Sequence, residues 1–400
     1  MDYYKESLQL HKRLKGKIKT TLKMEVRTKE DLSLAYSPGV AAPCMEIAED
    51  EEKVWDYTFK GNMVAIVTDG SAVLGLGNIG AKAALPVMEG KAMLFKRFAH
   101  IDAFPICIDS QDVDKIVETV RLISPVFGGV NLEDISAPRS FEIEKRLQDL
   151  GIPVFHDDQH GTAIVTLAAL FNAAKVVNKP LHQLKVVING AGAAGIAIAR
   201  LLKCVDNKDE SCIAVKEVIL CDSKGIIHSG REDLNDAKKN ALSFTNESDT
   251  RGGLKDAIKG IDVFVGVSAG GILDRNDIRT MAKDPIIFAM ANPEPEIMPE
   301  EAYAGGAKIV GTGRSDFPNQ INNVLGFPGI FRGALDARAK KISPSMKLAA
   351  ARAIADHLKD PTPEEIIPST LDEQVAWAVA KAVKEAAIKC NIAEGEAVDC

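Results

Sequence analysis

The sequence contains no uninterrupted run of about 18 apolar residues, the minimum for a membrane-crossing helix. Cysteine is scarce, seven residues in 400, and no CxxC pair occurs, which argues against a zinc site or a disulfide framework and for reduced thiols. Positive charge is outweighed: 49 Lys and Arg face 56 Asp and Glu, a net charge of −7. With an isoelectric point near 5.7, the sign is wrong for a general nucleic-acid binder. No repeat of solenoid length and no low-complexity tract occurs. The N-terminus, MDYYKESLQLHKRLKGKIKT, lacks the apolar centre of a signal peptide, and Asp2, Glu6 and a single Arg argue against a transit peptide. A cytoplasmic protein with neither nucleic-acid nor membrane partners is expected.

What is present is alternation. Short β-rich runs at 63–70, 102–108, 153–158, 185–190, 217–222, 262–268, 285–293 and 308–314 are separated by longer stretches with helical spacing, such as 86–99 and 162–177. Several of the runs are apolar without period two, as strands buried on both faces should be. Such alternation predicts parallel sheets covered by helices. The expected fold class is α/β with two α/β domains: residues 1–159, then a Rossmann-type dinucleotide-binding domain over 160–342. A tail over 343–400 follows, its last fifty residues wholly helical.

GxGxxG occurs twice, at Gly75, Gly77, Gly80 and at Gly190, Gly192, Gly195. The second follows directly on the strand KVVIN and opens a helix, with Ala193 and Ala194 between its glycines. There the backbone can approach a pyrophosphate held at the helix N-terminus. Asp222 ends the next strand, 27 positions beyond Gly195 and further than the usual ~20, and the insertion DNKDESC (206–212) supplies the excess. The first copy has Asp102 at nominally better spacing. However, six residues separate Gly75 from the end of its strand, and Pro86 stands where a phosphate-binding helix should run. The second copy is therefore read as the dinucleotide site, with Ser268 at the end of a later strand, and the first as a loop bordering a cleft. Asp222 favours NAD by binding the ribose hydroxyl, whereas Ser223, Lys224, Lys238 and Lys239 offer a 2′-phosphate of NADP a place; the choice between NAD and NADP stays open.

Glu133-Asp134 and Asp157-Asp158 are two acidic pairs, the second at a strand's C-terminal end, where ligands of open α/β sheets gather. Three carboxylates from two strand ends suit Mg²⁺ or Mn²⁺. Spacing alone equally allows helix caps or solvated loops. His156 and His160 flank the second pair, but hard oxygen ligands outnumber them. Lys91 stands in an apolar helical stretch, where it is either a base with a lowered pKa or a lysine whose head snorkels to water. Tyr36, before a Ser-Pro-Gly turn, faces a cleft or packs.

Seven stretches together resemble the malic enzymes, in the family's order over roughly residues 10–340: AYSPGVAAPC, TDGSAVLGLGNIGAKAALPVMEGKA, GGVNLEDI, FHDDQHGTA, NGAGAAG, FAMANPEPEI and GRSDFPNQINNVLGFPGIF. The length resembles the short prokaryotic type. The resemblance implies oxidative decarboxylation of L-malate to pyruvate and CO₂ with reduction of NAD(P)⁺. By position, Tyr36 looks like the general acid, Lys91 like the general base, and Glu133, Asp134 and Asp158 like the metal ligands. Asp157 resembles the carboxylate that orients Lys91, and Asn292, Asn322 and Asn323 resemble positions holding substrate or the nicotinamide. One departure stands out: larger members carry an arginine soon after TDG that clamps a malate carboxylate, and this chain has Ser71-Ala72 there. Ser71, Asn323, amides of the Gly75–Gly80 loop, or a residue of a partner subunit are the candidates to replace it. The resemblance suggests a homodimer or larger, with Tyr36 reaching a neighbour's site. A malolactic activity and a regulatory protein without catalysis are the rivals.

Overall fold

Two parallel sheets form the frame. The computed structural model describes residues 3–393 apart from 74, 208, 210 and 391; Cys400 and the end of the expected tail lie outside the described residues. The first sheet holds β1 (Met63–Thr68), β2 (Asp102–Cys107), β3 (Gly129–Leu132) and β4 (Val154–His156), in the order β2-β1-β3-β4. The second holds β5 (Lys185–Asn189), β6 (Glu217–Asp222), β7 (Gly225–Ile226), β8 (Val263–Gly266), β9 (Ile286–Ala289) and β10 (Ile309–Thr312), in the order β10-β9-β8-β5-β6-β7. Every pairing is parallel except the two-residue β6–β7 ladder.

The apolar, non-alternating runs behave as double-faced burial requires. Val64, Ala65, Ile66 and Val67 are fully buried, and so are Val263, Phe264, Val265 and Ile286–Ala289. Pro105 is tolerated in β2 because β2 lies at a sheet edge, where no second neighbour needs its missing N–H. β3 was not among the expected strands. Four residues starting with glycine and containing Asn131 carry little strand signal, and the segment is extended because β1 and β4 pair with it on either side.

The helices that cover the sheets and shape the site are α1 (Tyr3–Leu14), α2 (Lys29–Ala35), α3 (Ala41–Glu49), α4 (Ala81–Ala99), α5 (Arg139–Leu147), α6 (Asp157–Val176), α7 (Ala193–Leu202), α8 (Asp236–Ala241), α9 (Phe327–Asp336), α10 (Pro344–His357) and α11 (Glu373–Lys389). The expectation that Pro86 bars a helix behind Gly80 is corrected, because α4 begins at Ala81 and runs through Pro86. A proline inside a helix costs about 3 kcal/mol. Buried Ala84, Met88, Ala92 and Phe95 on one face of α4 offset that cost through packing. The wholly helical end is also corrected: α10 and α11 are separated by 358–372, where Pro361, Pro363 and Pro368 deny the backbone its donors.

α9, α10 and α11 pack on one another, α10 against α6, and α9 and α11 against α4. An aromatic seam ties α4, β4 and α9 together: Phe95 meets Phe327 and Phe331 edge-on at 4.8 and 5.4 Å between centroids, and Phe155 meets Phe331 at 5.9 Å. The expectation of reduced thiols meets one exception, a Cys204–Cys212 disulfide. Cys204 adopts the left-handed conformation just after α7 and reverses the chain, so a separation of eight in sequence becomes 6.0 Å between Cα atoms. Among the described residues no helix is long and apolar enough to cross a membrane.

Candidate active site

α4 delivers Lys91 to the C-terminal ends of β3 and β4. The side chain is 92 % shielded from solvent, its ammonium 4.1 Å from the centroid of the Phe327 ring. Lys91 Nζ donates to Asp157 Oδ2 at 2.5 Å and pairs with Glu133 Oε1 at 2.8 Å. Asn323 Nδ2 donates to the same Asp157 oxygen at 2.5 Å. Asp157 sits in the first turn of α6, immediately after β4, and Gly161 leaves room for it: a Cβ at 161 would lie 1.8 Å from Asp157 Oδ1. That oxygen is buried and accepts no hydrogen bond among the described residues.

Glu133, Asp134 and Asp158 each place a carboxylate oxygen within 4.8 Å of the other two. Glu133 and Asp134 follow β3, and Asp134 holds the uncommon left-handed conformation, φ 53°. Its N–H donates to Asp158 Oδ2 at 2.8 Å, which ties the two strand ends together. Asn131, at the centre of β3, donates to Glu133 Oε2 at 2.8 Å. All the donors are hard oxygens on a converging set, which fits Mg²⁺ or Mn²⁺ rather than zinc. His156 is fully buried, and burial pushes its pKa down to about 4, so it is neutral at pH 7.

Electrostatically this is a centre with too much negative charge. Burial raises Asp157 to about 7, helped by Glu133 and opposed by Lys91. Burial likewise raises Glu133 to about 7, with Asp158 adding to the shift and Lys91 opposing it, and raises Asp158 to about 6. Burial disfavours the Lys91 ammonium, but Asp157 and Glu133 together hold its pKa above the ordinary lysine value.

A knot of polar groups buttresses the turn after β1. Ser71 Oγ donates to Asp69 Oδ1 at 2.5 Å and accepts the Ser136 N–H at 2.9 Å. Arg139 Nη2 donates to Asp69 Oδ2 at 2.9 Å, and Ala72 N–H donates to the Asp134 carbonyl. Ser71 is thus engaged on both sides in holding the Glu133-Asp134 loop. Asn322 is also engaged, capping the turn 323–325 through Val324 N–H.

At the second sheet, α7 opens directly behind Gly192, with Gly192 exposed and Ala193 and Ala194 partly so. Gly190 takes φ 122°, and a Cβ at Gly195 would lie 1.8 Å from the Gly190 carbonyl oxygen. Ser268 Oγ receives Asn189 Nδ2 at 2.6 Å. Its N–H and that of Ala291 donate to the two oxygens of Glu296, each at 3.0 Å. Glu296 is fully buried and pins the loops after β8 and β9, so that exposed Asn292 is presented beside them. The first glycine copy meets this loop: a Cβ at Gly75 would lie 2.7 Å from the Asn292 carbonyl oxygen.

Asp222 ends β6 but is fully bonded. Oδ1 accepts Arg231 Nη1 at 2.8 Å and Lys224 N–H at 2.9 Å, and Oδ2 accepts Arg231 Nη2 at 3.0 Å and Lys238 Nζ at 2.6 Å. Against the opposing effect of burial, these bonds hold its pKa near 2. Ser223 is exposed beside it. Tyr36, at the C-cap of α2, is 69 % exposed, and its backbone bonds stay within its own turns.

Lys91, Asp157, Asn323, Glu133, Asp134 and Asp158 are therefore brought together, as are Gly190–Gly195, Ser268 and Asn292 around the second sheet. Tyr36 stands apart. Sequence reading missed Asn131, Arg139, Arg231 and Glu296: Arg139 reaches Asp69 across 70 positions and Glu296 pins Ser268 across 28, while Asn131 and Arg231 bond to acids two and nine residues away that residue type alone does not single out. The one available signal was the run Glu294-Pro295-Glu296 beside Asn292.

Two family models cover the chain, the malic enzyme N-terminal domain over residues 15–148 and the malic enzyme NAD-binding domain over 159–388. The chain is 59 % identical to the bifunctional malic/malolactic enzyme of Bacillus subtilis, over 98 % of this chain and 95 % of that protein. It is 54 % identical to the NAD-dependent malic enzyme of Geobacillus stearothermophilus, over 94 % and 78 %; other relatives are named NADP-dependent malic enzymes. The crystal structure of the NAD-dependent malic enzyme of Thermotoga maritima matches with a TM-score of 0.90 at 50 % identity, over 94 % of this chain and 98 % of that one. With a lysine clamped by carboxylates at the end of one parallel sheet and a dinucleotide loop at the end of the other, the chain belongs to the malic enzyme family.

Proposed function

We propose that this chain decarboxylates L-malate oxidatively to pyruvate and CO₂ with NAD⁺ or NADP⁺, using a divalent metal held by Glu133, Asp134 and Asp158. In this reading residues 1–159 supply the substrate and metal groups, 160–342 the dinucleotide site and 343–400 a C-terminal tail, and the cytoplasm is the compartment. The observation that carries it is Lys91 Nζ set 2.5 Å from Asp157 and 2.8 Å from Glu133, beside three converging carboxylates.

When bound, the dinucleotide accepts the hydride from C2 and the metal supplies Lewis-acid stabilisation of the adjacent oxygen. The chain's own residues handle the protons. Lys91 takes the C2 hydroxyl proton, and Asp157, itself oriented by Asn323, aims it. A divalent cation held by Glu133, Asp134 and Asp158 would offset the negative charge that holds the Lys91 proton, and would so favour the neutral amine that the base role needs. Tyr36 protonates C3 of the enol product. Since Ser71 is engaged by Asp69 and Ser136, Asn323 and the amides of the Gly75–Gly80 loop are the better carboxylate-binding candidates, with Asn292 and Ser268 at the nicotinamide end.

The test is absorbance at 340 nm with L-malate and Mn²⁺, run with each nucleotide, with and without EDTA. Metal-dependent reduction with pyruvate as product supports the proposal, and no reduction with either nucleotide refutes it. A malolactic activity is the second reading, favoured by the name of the 59 % identical relative. Lactate formed from malate without net reduced nucleotide marks it.

The active form in this proposal is a homodimer or larger. α1, α2 and α3 bury none of their residues, and Tyr3, Tyr4, Leu8, Leu34, Tyr36 and Met45 are all exposed. Tyr36 then serves the site of a neighbouring subunit. Mixing inactive Tyr36→Phe chains with inactive Lys91→Ala chains restores activity if the sites are shared, and proven heterodimers that stay inactive count against sharing.

A further inference from the structure

The three carboxylates that lie within 4.8 Å of one another come from two separate turns, 133–136 after β3 and the first turn of α6 after β4. Like charges at that distance repel until a cation joins them, so other contacts must set the spacing. The helix between the two turns is α5, which leads from β3 to β4. β3 has β1 and β4 as its neighbours, so α5 borders the turns that end both. Its first residue, Arg139, and Glu144, about 140° further round the helix, reach one side each. Arg139 Nη2 donates to Asp69 Oδ2, on a carboxylate with no solvent exposure. The other Asp69 oxygen accepts the Ser71 N–H at 2.9 Å as well as the Ser71 hydroxyl. Ser71 Oγ in turn accepts the Ser136 N–H, and Ala72 N–H donates to the Asp134 carbonyl, so the turn that carries Asp134 in its left-handed conformation is held at both ends. On the other side Glu144, its carboxylate largely buried, accepts the His156 N–H at 3.3 Å, Gln159 Nε2 at 3.3 Å and His160 Nε2 at 2.8 Å. Those three donors bracket Asp157 and Asp158 in the sequence.

We propose that α5 is a brace for the metal ligands, with Arg139 and Glu144 as its positioning residues, a role that rests on the divalent-metal site proposed above. Arg139 sets the Glu133-Asp134 turn through Asp69 and Ser71, and Glu144 sets the Asp157-Asp158 turn directly. Both act on the turns from which the ligand side chains project. Without the brace the turns part under the repulsion of their carboxylates, and a cation must draw them back before it is fully held, so affinity for the ion falls. Ser71 thereby has a different task from the carboxylate clamp that its position after Asp69-Gly70 suggests: it passes the hold of Asp69 on to Ser136.

The test measures Mn²⁺ binding to the full-length, metal-free protein from the electron paramagnetic resonance signal of the free ion, without malate. Arg139→Met and Glu144→Gln each weaken Mn²⁺ binding by about tenfold or more, while NADH affinity, read by its fluorescence, is unchanged. Arg139→Lys, which keeps a donor for Asp69, recovers most of the lost Mn²⁺ affinity and so guards against a folding defect in the methionine variant. Ser71→Ala follows Arg139→Met, whereas a clamp on malate would leave Mn²⁺ binding intact and raise only KM for malate. Wild-type Mn²⁺ affinity in both Arg139→Met and Glu144→Gln, no recovery in Arg139→Lys, or a parallel loss of Mn²⁺ and NADH binding overturns the proposal. A wild type that binds no Mn²⁺ overturns the metal of the proposed function together with the brace, whereas Mn²⁺ binding that is equal in wild type and variants overturns the brace alone.

Discussion

Two clusters of carboxylates and cations sit at the ends of the two sheets, built from the same residue types to opposite effect. Around Lys91, Asp157, Glu133, Asp134 and Asp158 bring four carboxylates to one ammonium, deep in the chain, and burial pushes three of them up to about 6 or 7. Around Asp222, the cations Arg231, Lys238 and Lys224 pair with Asp222 and Asp233, and both oxygens of Asp222 are matched. There the acids are held down. The first cluster is left wanting a cation, and in the proposed function it moves protons; in the second every Asp222 oxygen is bonded, and the proposed role is recognition of the dinucleotide. Low dielectric and imbalance mark chemistry, and balance near solvent marks binding.

Breaking the first cluster has the largest expected effect. Lys91→Met should lower kcat by about 10³-fold, with the fold intact by circular dichroism, whereas near-normal kcat would remove Lys91 from the chemistry. In the second cluster, Lys238→Gln should cost about tenfold in kcat/KM for NADP⁺ and little for NAD⁺. It removes a cation beside the proposed ribose site and takes one of the two donors from Asp222 Oδ2, which keeps Arg231. Equal losses with both nucleotides would show that Lys238 merely supports Asp222.

Glu296→Gln tests the frame between the clusters. It leaves one acceptor for the Ser268 and Ala291 N–H groups and turns the other into a donor, so KM for the dinucleotide should rise about three- to tenfold, from roughly one lost hydrogen bond. An unchanged KM would mean that the loops hold without it.

The clusters should also part in their response to pH, in differential scanning calorimetry without metal. Raised carboxylates bind protons more tightly in the folded chain than in the unfolded one. Their contribution is therefore fully present below about 4 and is lost as pH rises towards about 7. Divalent metal, which needs the bare carboxylates, should reverse that slope. Asp222, depressed to about 2, contributes above about 4 and loses its contribution only as pH falls through its folded value. A metal-free Tm that climbs steadily from pH 5 to 7.5 would contradict the imbalance assigned to the Lys91 centre.

The smallest effect is a count. The Cys204–Cys212 bond predicts that reduction of the denatured protein exposes two further thiols, those of Cys204 and Cys212; no gain of thiol at these two positions would restore the reduced-thiol expectation.

How much of this was legible in the sequence depends on how local each interaction is. Strand runs, the second glycine fingerprint and the acidic pairs were legible because their signals lie within a few residues: period, turn chemistry and the helix that follows a strand. Lys91 and Asp157 were named from a family pattern, whereas their pairing spans 66 positions and no periodicity predicts it. β3 escaped because its neighbours, not its residues, make it a strand. Pro86 misled because the rule against it is local and the packing that overrides it is not.

The sequence alone determined the α/β class, the glycine loop that can meet a pyrophosphate and the stock of ionisable groups, since these follow from the order of residue types along the chain. Tertiary structure decided which charges are paired, which are buried and which are left over. Asp222 saturated by Arg231 and Lys238, Ser71 engaged by Asp69 and Ser136, and Lys91 enclosed between Asp157 and Glu133 are all outcomes of distance and dielectric, and both come into being only when remote segments pack.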